Sequence, residues 1–270
     1  MAMPTSYYNF RRWALRTFVP ESYWAESVTL NGAKIRLRNT PYSFGVRSTL
    51  RDNSYEIAER TLIVELARPG MQVLELGGSI GIIAAVVAER VGPTGRVVTV
   101  EASPKLTSFS RTWLEVGKPI KVLTGYAFPV WNLPPELNIK GFTGGEVSLG
   151  GRVEFSFDDA SSPGGAATAT RAAPPPSSAS DVRTYDLSTI CREQGIEPEM
   201  LIMDIESSEE ILMKYPANFP SFIKTIIIEL HPWLYKDGER DQQRIIDAIE
   251  REGLKLVRQV KHNWLLQRPG

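Results

Sequence analysis

Two groups of residues carry the types and spacing that chemistry needs. The first is "VLELGGSIG", residues 73–81, where Glu75 interrupts an apolar run and Gly77, Gly78, Ser79 and Gly81 follow it. Glycines permit a tight turn and a close approach of backbone to a bound group. Glu101 closes the next apolar run, 20 residues past Gly81. An acid at the end of a second strand can accept both hydroxyls of a ribose. The second group is Asp204 and Glu206 in "LIMDIESSEE" (201–210) with Glu229 and His231 in "IIIELH" (226–231). Carboxylates and an imidazole at strand ends suit proton removal from a reacting hydroxyl. Asp204 and Glu229 are alternatively candidate ligands for a divalent cation such as Mg2+.

The glycine spacing selects among nucleotide ligands. A dinucleotide fingerprint reads G-x-G-x-x-G, and glycines at 77, 78 and 81 do not match it. Glu75 would repel a pyrophosphate, but it can orient an α-amino group. A cofactor with an amine, a ribose and no phosphate fits, and S-adenosylmethionine is one. Ala102 and Ser103 after Glu101, and Tyr126 and Ala127 after the third apolar run, occupy strand-end positions, which line the crevice of open α/β sheets.

The elements that must position these residues follow a rhythm. "MQVLELGG", "GRVVTVEA" and "IKVLTGYA" read as strands separated by the helices "IGIIAAVVAERV" and "SPKLTSFSRTWLEVG". Strand–helix–strand repetition predicts a right-handed parallel α/β sheet. After residue 182 the rhythm resumes: helix "YDLSTICREQG", strand "MLIMDIE", helix "SSEEILMKY", strand "IKTIIIELH" and helix "ERDQQRIIDAIEREG", with Ile245, Ile246 and Ile249 on one face. "LKLVRQV" and "NWLLQR" flank Lys261-His262 and should pair antiparallel. The expected fold is a seven-stranded, mostly parallel Rossmann-like sheet with a terminal hairpin and helices on both faces. Alternation along a strand would put Asp204 and Glu206 on one side. Ser207 and Glu210 have the spacing of a capping box, so Glu209 and Glu210 read as helix-start residues. Asn53 or Ser54 is the expected cap of a helix over 53–67.

Residues 1–52 read as an N-terminal extension that packs on or caps the main domain, 53–270. Tyr7, Phe10, Trp13 and Phe18 share a helical face suited to packing or to a second subunit. A hairpin is expected within 145–157. Residues 158–181 are Ala, Ser, Pro and Gly with almost no large apolar side chain, a flexible insertion. Lys plus Arg and Asp plus Glu number 31 each, and no basic–aromatic array points to nucleic acid. No apolar run reaches the length of a membrane span. The single cysteine, Cys191, falls within a predicted helix and reads as a packing thiol. One cysteine without a disulfide partner fits a cytoplasmic setting.

"VLELGGSIG", "VVTVEASP", "VRTYDL", "LIMDIESSEEIL" and "IIIELH", with "NSYEIAE" before them, resemble FkbM-type S-adenosylmethionine-dependent methyltransferases in content and order. The resemblance spans roughly residues 50–235. It implies the class I methyltransferase fold and methyl transfer to a hydroxyl oxygen of a small-molecule, sugar or natural-product acceptor. It further implies that Tyr55, Glu56, Glu75, Gly77, Gly78, Ser79 and Gly81 border the methionine and ribose end. Glu101 would hold the ribose, with Ala102, Ser103, Tyr126 and Ala127 about the adenine and Asp204 near the methyl group. The chain departs from the family where Ser207 replaces a glycine after the fourth strand. Two other readings stand beside this one: a nicotinamide-dependent oxidoreductase, and a non-catalytic binding protein with a relict cofactor site.

Overall fold

The computed structural model describes residues 26–133 and 183–270, together with the backbone of 138–140 and 156–158. The expected N-terminal helix and residues 159–181 of the insertion lie outside the described residues.

The chain opens with an antiparallel pair, β1 (Ser27–Leu30) and β2 (Ala33–Arg36), then α1 (Phe44–Arg51) and α2 (Ile57–Leu66). The alternating section follows: β3 (Gln72–Leu76), α3 (Ile82–Val91), β4 (Arg96–Glu101), α4 (Pro104–Leu114) and β5 (Ile120–Thr124). Short strands β6 (Tyr126–Ala127), β7 (Asn138–Lys140), β8 (Ser156–Asp158) and β9 (Thr184–Tyr185) come next. Then come α5 (Leu187–Gln194), β10 (Met200–Met203), a 3-10 turn (Ser208–Met213), β11 (Thr225–Glu229), α6 (Glu239–Arg251), β12 (Lys255–Val260) and β13 (Asn263–Gln267).

The main sheet has seven strands in the order β12-β13-β11-β10-β3-β4-β5. β11, β10, β3, β4 and β5 are parallel, while β13 runs antiparallel to both β11 and β12. This is the seven-stranded, mostly parallel sheet with a terminal hairpin that the sequence pattern predicted. The order reverses between β3 and β10, and that switch point is where open α/β sheets place their ligands.

The strands are apolar on both faces, as a sheet covered on both sides demands. Leu74, Leu76, Val98, Leu201, Met203 and Ile226 pack on one face, with α5 and α6. Val73, Val97, Met200, Ile202 and Ile227 pack on the other, with α2 and α3, and β1, β2 and α1 share this second core. The pleat puts Glu75 on the second face, since Glu75 pairs with Thr99 on one side and with Ile202 on the other. An acid is thereby inserted into an apolar layer. On α6 the residues Ile245, Ile246 and Ile249 are buried, as their spacing predicted. Cys191 is buried on α5, where burial raises its thiol pKa to about 11 and leaves it unreactive.

Three local expectations change. The third strand is not continuous to Ala127. β5 stops at Thr124, and Tyr126-Ala127 leaves the sheet to pair in parallel with Thr184-Tyr185. Gly125 permits this, because a Cβ there would lie 2.4 Å from the Tyr185 ring and 2.5 Å from the Arg183 carbonyl oxygen. The helix expected from Asn53 begins at Ile57, with neither Asn53 nor Ser54 as its cap. Buried Arg60 holds residues 53–56 as a turn instead, donating to the carbonyls of Asn53 (2.7 Å) and Tyr55 (2.7 Å). A capped helix does precede it, α1, whose Ser43 side chain accepts from the Val46 amide. The capping box at Ser207 does not form. Ser207 has φ 82° and no capping bond, and the following element is a 3-10 turn. Ser156–Asp158 pairs antiparallel with Asn138–Lys140, and residues 145–155 of the expected hairpin lie outside the described residues.

Candidate cofactor and acceptor site

β3 ends at the glycine turn. Gly77 has φ 91°, and a Cβ there would stand 1.7 Å from the carbonyl oxygen of Asp204 on the neighbouring strand end. At Gly78 a Cβ would stand 1.9 Å from Thr99 Oγ1 and 3.3 Å from Glu75 Oε2. These two glycines are therefore required by the packing of β3 against β10 and β4, whatever binds above them. Gly81 opens α3 with φ 83°, its face closed by Leu114.

Glu101 stands at the end of β4 and reaches back to this turn. One carboxylate oxygen accepts from the Ser79 amide at 2.9 Å, and the other from the Ser103 amide at 2.7 Å. Burial raises its pKa, and the amides of Ser103, Ser79 and Ala102 oppose that rise. The carboxylate is thus fixed in position, with lone pairs remaining for a ligand's hydroxyls. Ser103 caps α4 by accepting from the Leu106 amide. Burial, and after it the nearby Glu101 charge, push the Tyr126 phenol pKa up to about 12. Tyr126 and Ala127 are both buried on β6.

A small cleft opens beside the turn, between the start of α2 and the ends of β3 and β10. Tyr55, Glu56, Glu75, Gly77, Gly78, Ser79 and Asp204 line it, and Glu59 lines it as well. Glu75 is 3% exposed, and its Oε2 has no hydrogen-bond partner. Burial raises its carboxyl pKa to about 7; the Thr99 hydroxyl and the Ala84 amide oppose the rise, and Glu101 adds to it. A buried, unpartnered carboxylate oxygen beside a close-packed glycine turn fits the amino-acid end of S-adenosylmethionine. Glu101 fits its ribose. The cofactor-site residues therefore form two clusters, linked through Ser79.

The acids at the ends of β10 and β11 meet, but not through the strand pleat. β10 stops at Met203, and Asp204–Ser207 turns away with Glu206 at φ 48° and Ser207 at φ 82°. The alternation expected for Asp204 and Glu206 does not apply; the turn gathers them. Asp204 Oδ1 lies 3.7 Å from His231 Nε2. Asp204, Glu206 and His231 can each bring one ligand atom within 4.8 Å of the others, whereas Glu229, the expected second metal ligand, is not in that group. Glu229 ends β11 opposite Asn263, which hydrogen-bonds it. Burial pushes the Asp204 carboxyl well above the usual range, and Glu229, Glu206, Glu56 and Glu209 push it further. Burial holds His231 down at about 4, with His262 adding to the effect, so the imidazole is neutral at pH 7. Its backbone N–H donates to the Tyr235 hydroxyl at 3.2 Å.

Glu209 is fully buried and accepts from the Ile205 amide at 3.2 Å. It pins the 204–207 turn, a structural part as expected but by a different bond. Glu59 is the site residue that the sequence reading passed over. It had a signal: Glu59, Leu62, Ile63 and Leu66 fall at helical spacing, so an acid occupies the apolar stripe of α2.

Comparison with known proteins adds the following. The model of the protein-L-isoaspartate(D-aspartate) O-methyltransferase family matches residues 28–126. The chain is 51% identical over 61 residues to protein-L-isoaspartate O-methyltransferase of Methanopyrus kandleri, covering 22% of this chain and 27% of that protein. It is 33% identical over 109 residues to protein-L-isoaspartate O-methyltransferase 2 of Archaeoglobus fulgidus, covering 40% and 45%. The matches thus span less than half the length of these curated relatives. Among solved structures, the Methanococcus jannaschii fibrillarin pre-rRNA processing protein aligns with TM-score 0.48 at 14% identity, over 94% of this chain and 86% of that one. Aeropyrum pernix fibrillarin with natively bound S-adenosyl-L-methionine aligns with TM-score 0.46 at 13% identity, over 92% and 84%. The family match contains Glu75, the glycine turn and Glu101, and it ends before Asp204, Glu206, Glu229 and His231. It covers the cofactor half of the candidate site and stops short of the acid-rich half.

Proposed function

We propose that this chain is an S-adenosylmethionine-dependent methyltransferase acting on a hydroxyl oxygen. The observation that carries the cofactor is Glu101, clamped by the Ser79 and Ser103 amides at the mouth of the glycine turn. The cofactor supplies an electrophilic methyl group on a sulfonium. Asp204 stands beside the Gly77 turn, and in this reading it accepts the proton of the attacking hydroxyl. Its raised pKa brings it closer to that task than an ordinary carboxylate. His231, neutral and 3.7 Å away, positions it. The acid trio serves proton transfer, so chelation by EDTA leaves turnover unchanged.

The matched relatives are named for protein isoaspartyl groups, and the match over residues 28–126 favours a second reading, carboxyl methylation of a protein. The acid-rich half opposes it. Asp204, Glu206, Glu56 and Glu229 crowd the reaction point with carboxyls that outnumber the cations acting on them, Arg60 on Glu56 and Lys261 on Glu56 and Glu229, which disfavours an anionic acceptor. A neutral hydroxyl meets no such repulsion, as in the FkbM-type proteins that the motifs resemble.

One experiment tests both levels. The protein is incubated with methyl-labelled S-adenosylmethionine and extracts fractionated into small molecules, glycans and proteins. Labelled product that survives mild alkali and carries the methyl group on oxygen by mass spectrometry is an ether, as proposed; label released as methanol is a carboxyl ester and selects the second reading. Calorimetry with S-adenosylhomocysteine runs beside it, and a folded sample that binds none overturns the methyltransferase reading.

A further inference from the structure

Glu59 is the least expected residue of the cleft. It lies on α2, is 2% exposed, and lines the cleft. The charges that act on it are all negative: Asp204, Glu56, Glu75 and Glu229. The adjacent cation does not answer it, because the Arg60 guanidinium is committed to Asn31 and to the carbonyls of Tyr55 and Asn53. A buried carboxyl with acidic neighbours and no counter-ion is costly to keep. Glu75, equally buried in the same cleft, leaves its Oε2 without a partner.

We infer that Glu59 is the counter-ion for the α-ammonium group of the cofactor's amino-acid end, with Glu75 across the cleft from it. The inference rests on the cofactor reading above and extends it to a residue and a charge. α2 therefore does more than cover the sheet: it delivers one acid into the cleft at the position where its apolar stripe meets the glycine turn. The negative surroundings then make chemical sense, since the ligand brings the cation that the protein withholds. Cofactor fragments that lack the ammonium should not depend on Glu59.

The test is calorimetry on wild type and Glu59→Gln with two probes, S-adenosylhomocysteine and 5′-methylthioadenosine, which lacks the amino-acid end. Glu59→Gln should weaken S-adenosylhomocysteine by about tenfold or more, the scale of one lost charge-assisted bond, and leave 5′-methylthioadenosine within about twofold. The unliganded variant should unfold at the same or a higher temperature, since a neutral isostere removes an uncompensated buried acid. Glu59→Met, the apolar isostere, should behave alike. An equal loss for both probes, an unchanged ratio of the two, or a lowered unfolding temperature in both variants overturns the assignment and makes Glu59 structural. If wild type binds 5′-methylthioadenosine but not S-adenosylhomocysteine, the ammonium seat is overturned while an adenosine site stands. If it binds neither, the cofactor reading itself falls.

Discussion

Glu101 and Asp204 stand at the C-terminal ends of two strands of one sheet, and their surroundings are opposites. Glu101 has an amide on each oxygen, from Ser79 and Ser103. Asp204 Oδ1 has no hydrogen-bond partner, and its charged neighbours are Glu229, Glu206, Glu56 and Glu209. Burial acts on both. Backbone donors offset it in one case, and like charges compound it in the other. The difference teaches what each end is for in the proposed function. A carboxylate already solvated by amides can receive a ligand's hydroxyls without rearrangement, which is a binding device. A carboxyl kept from ionising by its neighbours responds to what arrives, and that is a device for proton transfer.

The comparison breaks first at Asp204. Asp204→Asn keeps the shape and removes the proton acceptor. Turnover should fall by about 10²–10⁴-fold, the usual contribution of a general base, while calorimetry with S-adenosylhomocysteine shows binding retained. A variant that loses binding and turnover together would move Asp204 into the cofactor site. Wild-type kcat/KM should rise with pH through the Asp204 ionisation, because the base works deprotonated.

Next in size is the pH dependence of stability. Glu75 has its folded pKa raised to about 7 from an unfolded value of 4.5. Between those values the folded state holds the proton more tightly, so this stabilisation is present below about pH 4.5 and is lost as pH rises through 7. For Glu75 alone the swing is on the order of 3 kcal/mol. Unfolding midpoints of the ligand-free protein should therefore fall between pH 5 and 8, and Glu75→Gln should flatten the slope. A flat wild-type profile would mean that the buried acids are paired in solution.

Glu101→Ala comes third. Loss of two charge-assisted bonds to a ribose should weaken S-adenosylhomocysteine by about 100-fold, with little change in turnover at saturating cofactor. A reduced kcat at saturation would show that the two halves are coupled.

The two ends also differ in how far the sequence revealed them. Glu75, the glycine spacing and Glu101 follow one another along two consecutive βα units, and local pattern carries such order. The hairpin was equally plain, with Lys261 at φ 56° between its strands. The acid-rich half depends on the path of the chain between elements. Strand alternation placed Asp204 and Glu206 together for a reason that fails after Met203. The start of α2 was misjudged because Arg60, seven residues on, takes the carbonyl of Asn53. The exit of β6 from the sheet depends on one glycine packed against Tyr185, across the long insertion. Hydrophobic period does not report hydrogen bonds between distant residues, and these decide the turns.

The smallest effect concerns the turns themselves. β3 and β10 are neighbours, and both end in left-handed backbone: Gly77 at φ 91° on one, Glu206 at φ 48° and Ser207 at φ 82° on the other. Glycine takes that conformation freely, and a residue with a Cβ pays roughly 1–2 kcal/mol. Ser207 makes no capping bond in return. What holds the turn is Glu209, buried beneath it and accepting from Ile205. Ser207→Gly, the residue of the FkbM-type pattern, removes the strain but loosens the unfolded chain by about 0.5–1 kcal/mol. The net gain should be at most about 1.5 kcal/mol, a rise of a few degrees in Tm for a chain of this size. Glu209→Gln, by contrast, should lower Tm, since it weakens the bond that fixes the turn. If Ser207→Gly is stabilising and turnover is unchanged, the serine carries strain with no part in the chemistry. If it is stabilising and turnover falls, the stiffness of Ser207 is what keeps Glu206 beside Asp204, and the acid-rich half depends on a strained turn where the cofactor half depends on glycines.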